Sequence, residues 1–451
     1  MPQLPDPLSR ILPADNQATQ ATQAMQTLRS TPTDERLQPL RRFARLKALL
    51  PAGVNLVLAG LLAAPPTAAA GAPTSRRIGV WLTNSPSPLY YDPARIERAV
   101  GELADAGFNT LYPNVWSRGA TFHRSRWAPM EPALLQANPS LDPICRMTRA
   151  AQRRGLQVIP WFEYGLMEPA EAEVVRRQPE WVLAKRDGST AYPLHGRTMV
   201  WLNPAHPGVR QRFIGLISEI VQRCGVDGVQ LDDHFAWPVD LGYDPFTRAL
   251  YRQATGREPP EDPNDRAWMR WRRQQLTGLL RELRASLQRL DDEAAARARA
   301  KGKPRPHPTL VSLSPGPFRF AYNKWLQDWE LWALGGLVDD LIVQNYAYSV
   351  KGFEKDLNQP ALIKARGWGL PVEIGILAGF GGRTPDMATL SEKTRLAAAR
   401  GHGVIYFYWE GLWGRHAGPE GASFRQSAFR SLHRSLSNLP PTPPPPPLSR
   451  R

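Results

Sequence analysis

Two adjacent carboxylates and an imidazole, Asp232, Asp233 and His234, close the segment VDGVQLDDH that runs from Val226. Two further acids stand after apolar, aromatic-rich runs: Glu163 in PWFEYG and Glu410 in YFYWEG. Paired carboxyl groups suit acid–base hydrolysis. Cleaving a glycosidic bond requires one carboxylic acid to protonate the leaving oxygen and a second carboxylate to act as base or nucleophile. Burial and a neighbouring negative charge raise the proton affinity of one member while its partner stays ionised. The expected assignment places Asp232 as nucleophile or base and Glu163 or Glu410 as acid. Asp233 is a further catalytic candidate that could instead orient His234 or Arg118.

Sugars also need a binding surface, because a pyranose offers an apolar face for stacking and a rim of hydroxyls for hydrogen bonds. The chain has 15 tryptophans, and Trp81, Trp116, Trp161, Trp237, Tyr346, Tyr348 and Trp409 all lie in or just after apolar runs. Among them Trp81, Trp116, Trp161 and Tyr346 are expected to bind substrate, with Asn114, Arg118, His234, Gln344 and Asn345 as polar companions. Rival chemistries find less support. Asp232, Asp233 and His234 are possible metal ligands, which would suit a metal-dependent deacetylase. The first apolar run, GVWLTN, lacks a His-x-His pair, and no spaced His/carboxylate set occurs elsewhere. No metal or other cofactor is therefore expected. No G-x-S-x-G nucleophile elbow is present either. His123, His195 and His206 read as loop or hydrogen-bonding residues.

The elements that must position these groups follow one pattern. Short β-rich runs fall at 78–82, 109–116, 156–163, 226–233, 309–315, 340–348, 372–377 and 403–410. Amphipathic stretches separate them, among them PARIERAVGELADAGF and DPICRMTRAAQRRGL, the latter with an acidic start and basic end suited to the helix dipole. This α/β alternation predicts a (β/α)8 TIM barrel with enlarged βα loops, the largest elaborations lying at 163–225 and 265–301. An open doubly wound sheet is disfavoured because TNSPSPLYYDP stands where a Gly-rich phosphate loop would follow the first strand. In a barrel the strand ends converge on one mouth. Alternation along the fourth strand then sends Gln230 and Asp232 inward, Val229 and Leu231 toward the helices, and Asp233 sideways.

Composition sets the outer limits. With 451 residues, 42% apolar and 22% charged, the chain can bury a large core. Residues 1–75 read as a leader, 76–435 as the barrel and 436–451 as a proline-rich tail. Within the leader, Arg41, Arg42, Arg45 and Lys47 precede an uncharged apolar run to Ala64 and then small residues, the order of a secretory signal. An uncleaved segment of about 41–70 would instead anchor the protein in a membrane. Export to the periplasm or cell envelope is expected. The net charge of +16 is spread out and accompanied by no nucleic-acid motif, so the anticipated partner is an anionic envelope polysaccharide and not nucleic acid. Cys145 opens one predicted helix and Cys224 closes another, so the two are expected at opposite ends and unbonded.

GVWLTN, FNTLYPNVWSRGATFHRS, PWFEYG, WLNPAHPGVR and DGVQLDDH together resemble the glycosyl-hydrolase-like family 10 of bacterial envelope proteins, from about Arg76 to about Ser435. The resemblance implies a TIM-barrel domain, an exported or lipid-anchored location, and hydrolysis of glycan strands, in some members peptidoglycan stripped of its peptides. By motif match it places Glu163 and Asp232 or Asp233 in the active site, with Asn203, Asn345, Tyr346 and Glu410 nearby. A lipobox cysteine is lacking. A xylanase reading is disfavoured, because the fourth strand ends in aspartates and Glu373 stands near the start of the seventh. The alternative to an enzyme is a sugar-binding barrel without turnover.

Overall fold

The computed structural model describes residues 76–83, 87–194 and 196–437. The expected leader segment, nearly all of the proline-rich tail and His195 lie outside the described residues. All eight expected strands form: β1 Ile78–Leu82, β2 Thr110–Pro113, β3 Gln157–Val158 with Trp161–Phe162, β4 Gly228–Asp232, β5 Leu310–Ser314, β6 Asp340–Gln344, β7 Val372–Leu377 and β8 Val404–Phe407. Every barrel pairing is parallel, and β8 pairs with β1. The ring closes through β3, whose first piece pairs with β2 and whose second pairs with β4. Pro160 interrupts that strand because it has no N–H to give. Its carbonyl still accepts from Gln230 N at 2.8 Å, which keeps both pieces in one ladder.

Residue alternation divides the core in two. Val80, Val229, Leu231, Val311, Leu313, Leu341, Ile374 and Ile376 face outward and pack with the helices. A smaller cluster of Trp81, Tyr112, Ile159, Trp161, Ile342, Leu377, Ile405 and Phe407 fills the barrel. The fourth strand obeys the expected division. Trp81 spans the interior and donates from Nε1 to Gln230 Oε1 at 2.6 Å, and Gln230 Nε2 donates to Ser312 Oγ at 3.1 Å. So large an indole needs small neighbours. A Cβ on Gly79 would stand 2.9 Å from both Ile405 and Tyr112, and one on Gly375 would stand 3.2 Å from Trp81. Below this layer Arg77 pairs with Asp340 and approaches Glu373 at 4.0 Å. That charged floor closes the barrel at the end opposite the mouth.

Long loops enlarge the mouth. After β2, Trp116–Ser117 and Ala120–Thr121 form a hairpin whose two-residue turn places Arg118 and Gly119 at φ 51° and 80°. Those angles are what a tight hairpin turn with the twist of its strands requires. Between β3 and β4 a three-stranded antiparallel sheet of Met167–Pro169, Tyr192–Leu194 and Arg197–Trp201 covers one side. The charged stretch after β4 is a single helix, Arg266–Ala300. No helix among the described residues is long and apolar enough to cross a membrane.

The cysteines correct the sequence expectation. Cys145 and Cys224 form a disulfide, with Cα atoms 4.6 Å apart. The two helices are not aligned end to end as assumed. The C-terminal end of Pro207–Cys224 lies against the flank of the shorter Pro143–Gln152. There Arg223 meets Asp142 at 3.0 Å, and Gln152 Nε2 donates to Gly225 O at 2.9 Å. The bridge closes a sequence separation of 79 residues, so removing it should cost about 2–4 kcal/mol. Denaturant unfolding of the Cys145→Ser/Cys224→Ser chain is expected to show that loss, with an unchanged midpoint arguing against the pairing.

Candidate functional site

Asp232 is the last residue of β4 and faces inward, where the barrel leaves it 3% exposed. Trp161 stands beside it because β3 and β4 pair Gln230 with Trp161, and the indole Nε1 donates to Asp232 Oδ2. The chain then turns back on itself. His234 N donates to Asp232 Oδ1 at 3.4 Å, and His234 Nδ1 lies 3.5 Å from that oxygen and 3.7 Å from Asp233 Oδ1. The same nitrogen bonds the Glu163 carbonyl at 2.7 Å, which ties the end of β3 to the β4 turn. Gly165 makes the approach possible, since a Cβ there would fall 2.3 Å from His234 O. From the β5 side, Gln327 Nε2 donates to the carbonyls of Asp232, Asp233 and Phe235 at 3.0, 3.3 and 2.9 Å. The residue before it, Leu326, is held at φ 52°, a conformation a branched side chain resists.

Glu163 follows β3 and is 6% exposed. The Asn114 amide donates to its Oε2, and Asn114 is itself held because Trp116 N donates to its Oδ1 at 3.1 Å. Arg118, projecting from the hairpin turn, lies 5.7 Å from the Tyr164 ring centroid and interacts electrostatically with Tyr164 and Glu163. On the β6 side Tyr346 packs at 5.5 Å against Phe407. Burial, then the charges of Asp232, Asp233 and Glu163, push its hydroxyl pKa well above the ordinary value. The ends of β3, β4 and β6 therefore share one electrostatic site.

Within it the proton affinities diverge. Burial above all, then the charge of Asp233, lifts Asp232 well above the usual carboxylate range, with His234 pulling the other way. For His234 burial alone would lower the pKa, but Asp233, Asp232 and the Glu163 carbonyl together raise it to about 10. The imidazole is accordingly a cation at neutral pH. Asp232, Asp233 and His234 each offer a ligand atom within 4.8 Å of one another. Of the two ring nitrogens of His234, Nδ1 is engaged by the Glu163 carbonyl.

Several expected site residues are engaged in local hydrogen bonds or packing. Glu410 lies just past its strand: β8 stops at Phe407, Trp409–Leu412 is a helical turn, and Glu410 Oε2 accepts from Arg415 N at 3.4 Å. Asn203 is fully buried, donating to Thr247 Oγ1 at 2.7 Å and to Asp244 Oδ1 at 3.3 Å while accepting from Ala205 N. Asn345 is likewise a loop tether, donating to Phe353 O at 2.9 Å. Gln344 reaches across to Ser314 O at 3.1 Å. Trp81 and Trp237 are buried, and Trp116 packs beneath the Arg212 guanidinium at 5.2 Å, so none of the three offers a free stacking face. Tyr348 is exposed, with the Arg383 guanidinium 3.9 Å over its ring.

Tyr164 and Gln327 were not anticipated from the sequence. Tyr164 stacks on His234 at 5.7 Å with rings 16° apart, and its position directly after Glu163 in PWFEYG was the available signal. Gln327 lies on a loop without any motif, and only coordinates reveal it.

The sequence profile described as Glycosyl hydrolase-like 10 matches residues 77–395. The chain is 29% identical over 143 residues to "Glycosyl hydrolase DigH" of Escherichia coli (strain K12), a match covering 30% of this chain and 32% of that relative. Among solved structures, the PgaB (BpsB) glycoside hydrolase domain from Bordetella bronchiseptica superposes with a TM-score of 0.56 at 13% identity, covering 81% of this chain and all of that one. The catalytic domain of beta-amylase from Paenibacillus polymyxa follows at 0.52 and 11% identity, covering 80% and 99%. At such identities these two similarities concern the barrel fold alone.

The His234 ion pairs carry a pH signature. Because the folded pKa of about 10 exceeds the ordinary 6.5, their contribution is complete below pH 6.5 and disappears as pH rises through 10. The melting temperature of the native chain should fall relative to that of His234→Gln between pH 7 and 10; parallel curves would contradict the assignment.

Proposed function

Because the chain belongs to the glycosyl hydrolase-like 10 family, we propose that it is an exported glycoside hydrolase cleaving glycan strands of the cell envelope, with peptide-free peptidoglycan as substrate class. The observation that carries this reading is the pair of buried carboxyl groups on adjacent strand ends, each in a different charge setting. Asp232 sits among apolar rings beside Asp233, an environment that favours the protonated acid. Glu163 receives the Asn114 amide and lies near the Arg118 guanidinium, partners suited to an ionised carboxylate. This supports exchanging the roles expected from sequence.

In this mechanism Asp232 donates its proton to the glycosidic oxygen as the bond to the leaving sugar breaks. Glu163 then either takes a proton from attacking water or attacks the anomeric carbon itself. His234 lies between the two aspartates and, tied to the Glu163 carbonyl, holds the β4 turn against the end of β3. Tyr346 borders the same space and could hydrogen-bond a sugar hydroxyl. Export is supported by the Cys145–Cys224 bridge, since such bonds persist in oxidising compartments. The basic-then-apolar order near residues 41–64 agrees with it. The net charge of +16 would draw the protein to anionic envelope polymers.

Asp232→Asn should lower release of reducing ends from peptide-free peptidoglycan by about 10²–10⁴-fold, the usual worth of a positioned acid, while leaving strand binding intact. Aryl glycosides whose leaving group needs no proton should lose far less with Asp232→Asn than with Glu163→Gln. Equal losses would return Asp232 to the base or nucleophile role. Strand binding without any release by the unaltered chain would instead identify a non-catalytic sugar-binding barrel.

A further inference from the structure

Beside the carboxylates, aromatic rings lead away from His234 toward the rim. His234 lies 5.9 Å from the buried Trp201, and Trp201 lies 5.4 Å from Trp325 at an angle of 35°. Trp325 in turn meets Phe320 edge-on at 5.8 Å. Trp325 and Phe320 are both partly exposed, in contrast to most of the tryptophans in the barrel strands. They come from the connection after β5, which opens at Pro315-Gly316-Pro317 and runs through the short helix Phe318–Lys324. Trp325 is fixed in place because Trp237 N donates to its carbonyl at 2.9 Å.

Polar groups border the same rings. Tyr192, from the sheet over β3, meets Trp201 edge-on at 6.3 Å and donates its hydroxyl to Asp240. Lys185 Nζ lies 3.6 Å from the other Asp240 oxygen and 5.0 Å from the Tyr192 ring centroid. The Lys185 and Asp240 side chains remain 35% and 39% exposed. Stackable rings next to a partly exposed lysine–carboxylate pair match the two surfaces of a sugar, its apolar face and its hydroxyl rim.

We propose that Trp325 and Phe320, with Lys185 and Asp240, form a distal glycan-binding track that holds sugar residues remote from the bond being cleaved. The inference rests on the glycosidase reading above and extends it: the substrate is a polymer gripped along several residues, not a terminal sugar alone. Trp201, buried beneath, aligns the outer ring with His234. Binding energy from this remote region would help seat the scissile bond between Asp232 and Glu163.

The test uses the full chain carrying Asp232→Asn, so that strands bind without turnover. Affinity is measured for long peptide-free peptidoglycan strands and for the disaccharide repeat, with and without Trp325→Ala. The expected result is about a tenfold loss for long strands, in line with one lost stacking contact, and less than a twofold change for the disaccharide. Trp325→Tyr should restore most of the lost affinity, which a purely structural role would not predict. Unchanged affinity for long strands, or equal loss for both ligands, overturns the track while leaving the glycosidase reading standing. Failure of the parent Asp232→Asn chain to bind either ligand overturns both.

Discussion

A carboxyl group buried at the end of a barrel strand must be supplied with partners or keep its proton, and that constraint organises the mouth of this molecule. Asp232 is given one indole N–H, one backbone N–H, and an imidazole shared with Asp233. These partners moderate the effect of burial without cancelling it, so the acid form is favoured. The rest of the site is arranged around holding that group still and placing Glu163 in a different electrostatic setting nearby.

The scaffold achieves this with a few specific devices. The break at Pro160 lets β3 serve two neighbours and still deliver Trp161 and Glu163 to the mouth. Gly165 allows the loop after β3 to press against the β4 turn, and the Glu163 carbonyl then fixes the ring of His234. Gln327 binds three successive parts of that turn from the far side. At the opposite end the Arg77–Asp340–Glu373 cluster is a second buried charged group. There burial, reinforced by Asp340 and resisted by Arg77, raises Glu373 to about 8. The two clusters are separated by the Trp81–Gln230–Ser312 layer.

The barrel was legible because its strands are short apolar runs at regular spacing, and inward or outward facing follows from alternation alone. That reasoning correctly turned Gln230 and Asp232 inward. It says less where the chain leaves its strand. Glu410 was read as a strand-end acid, whereas β8 stops at Phe407 and Glu410 lies in the helical turn that follows. Asn203 and Asn345 follow strands and donate their amides to the Thr247 hydroxyl and the Phe353 carbonyl, partners that no local motif announces. The disulfide was missed because helix ends were assumed to align, and relative helix placement is not written in periodicity. Strand tryptophans fill the barrel, while the partly exposed Trp325 follows a short helix in a loop without any motif, where alternation gives no guidance.

The account turns on the charge state of Asp232 in the folded protein, and carboxyl-carbon NMR titration with selectively labelled aspartate reads it directly. A midpoint well above the ordinary aspartate value of about 3.9, shifting further when Trp161→Phe removes the indole donor, is the predicted result. A midpoint at or below about 4, leaving Asp232 ionised throughout the working pH range, would contradict its role as the proton donor.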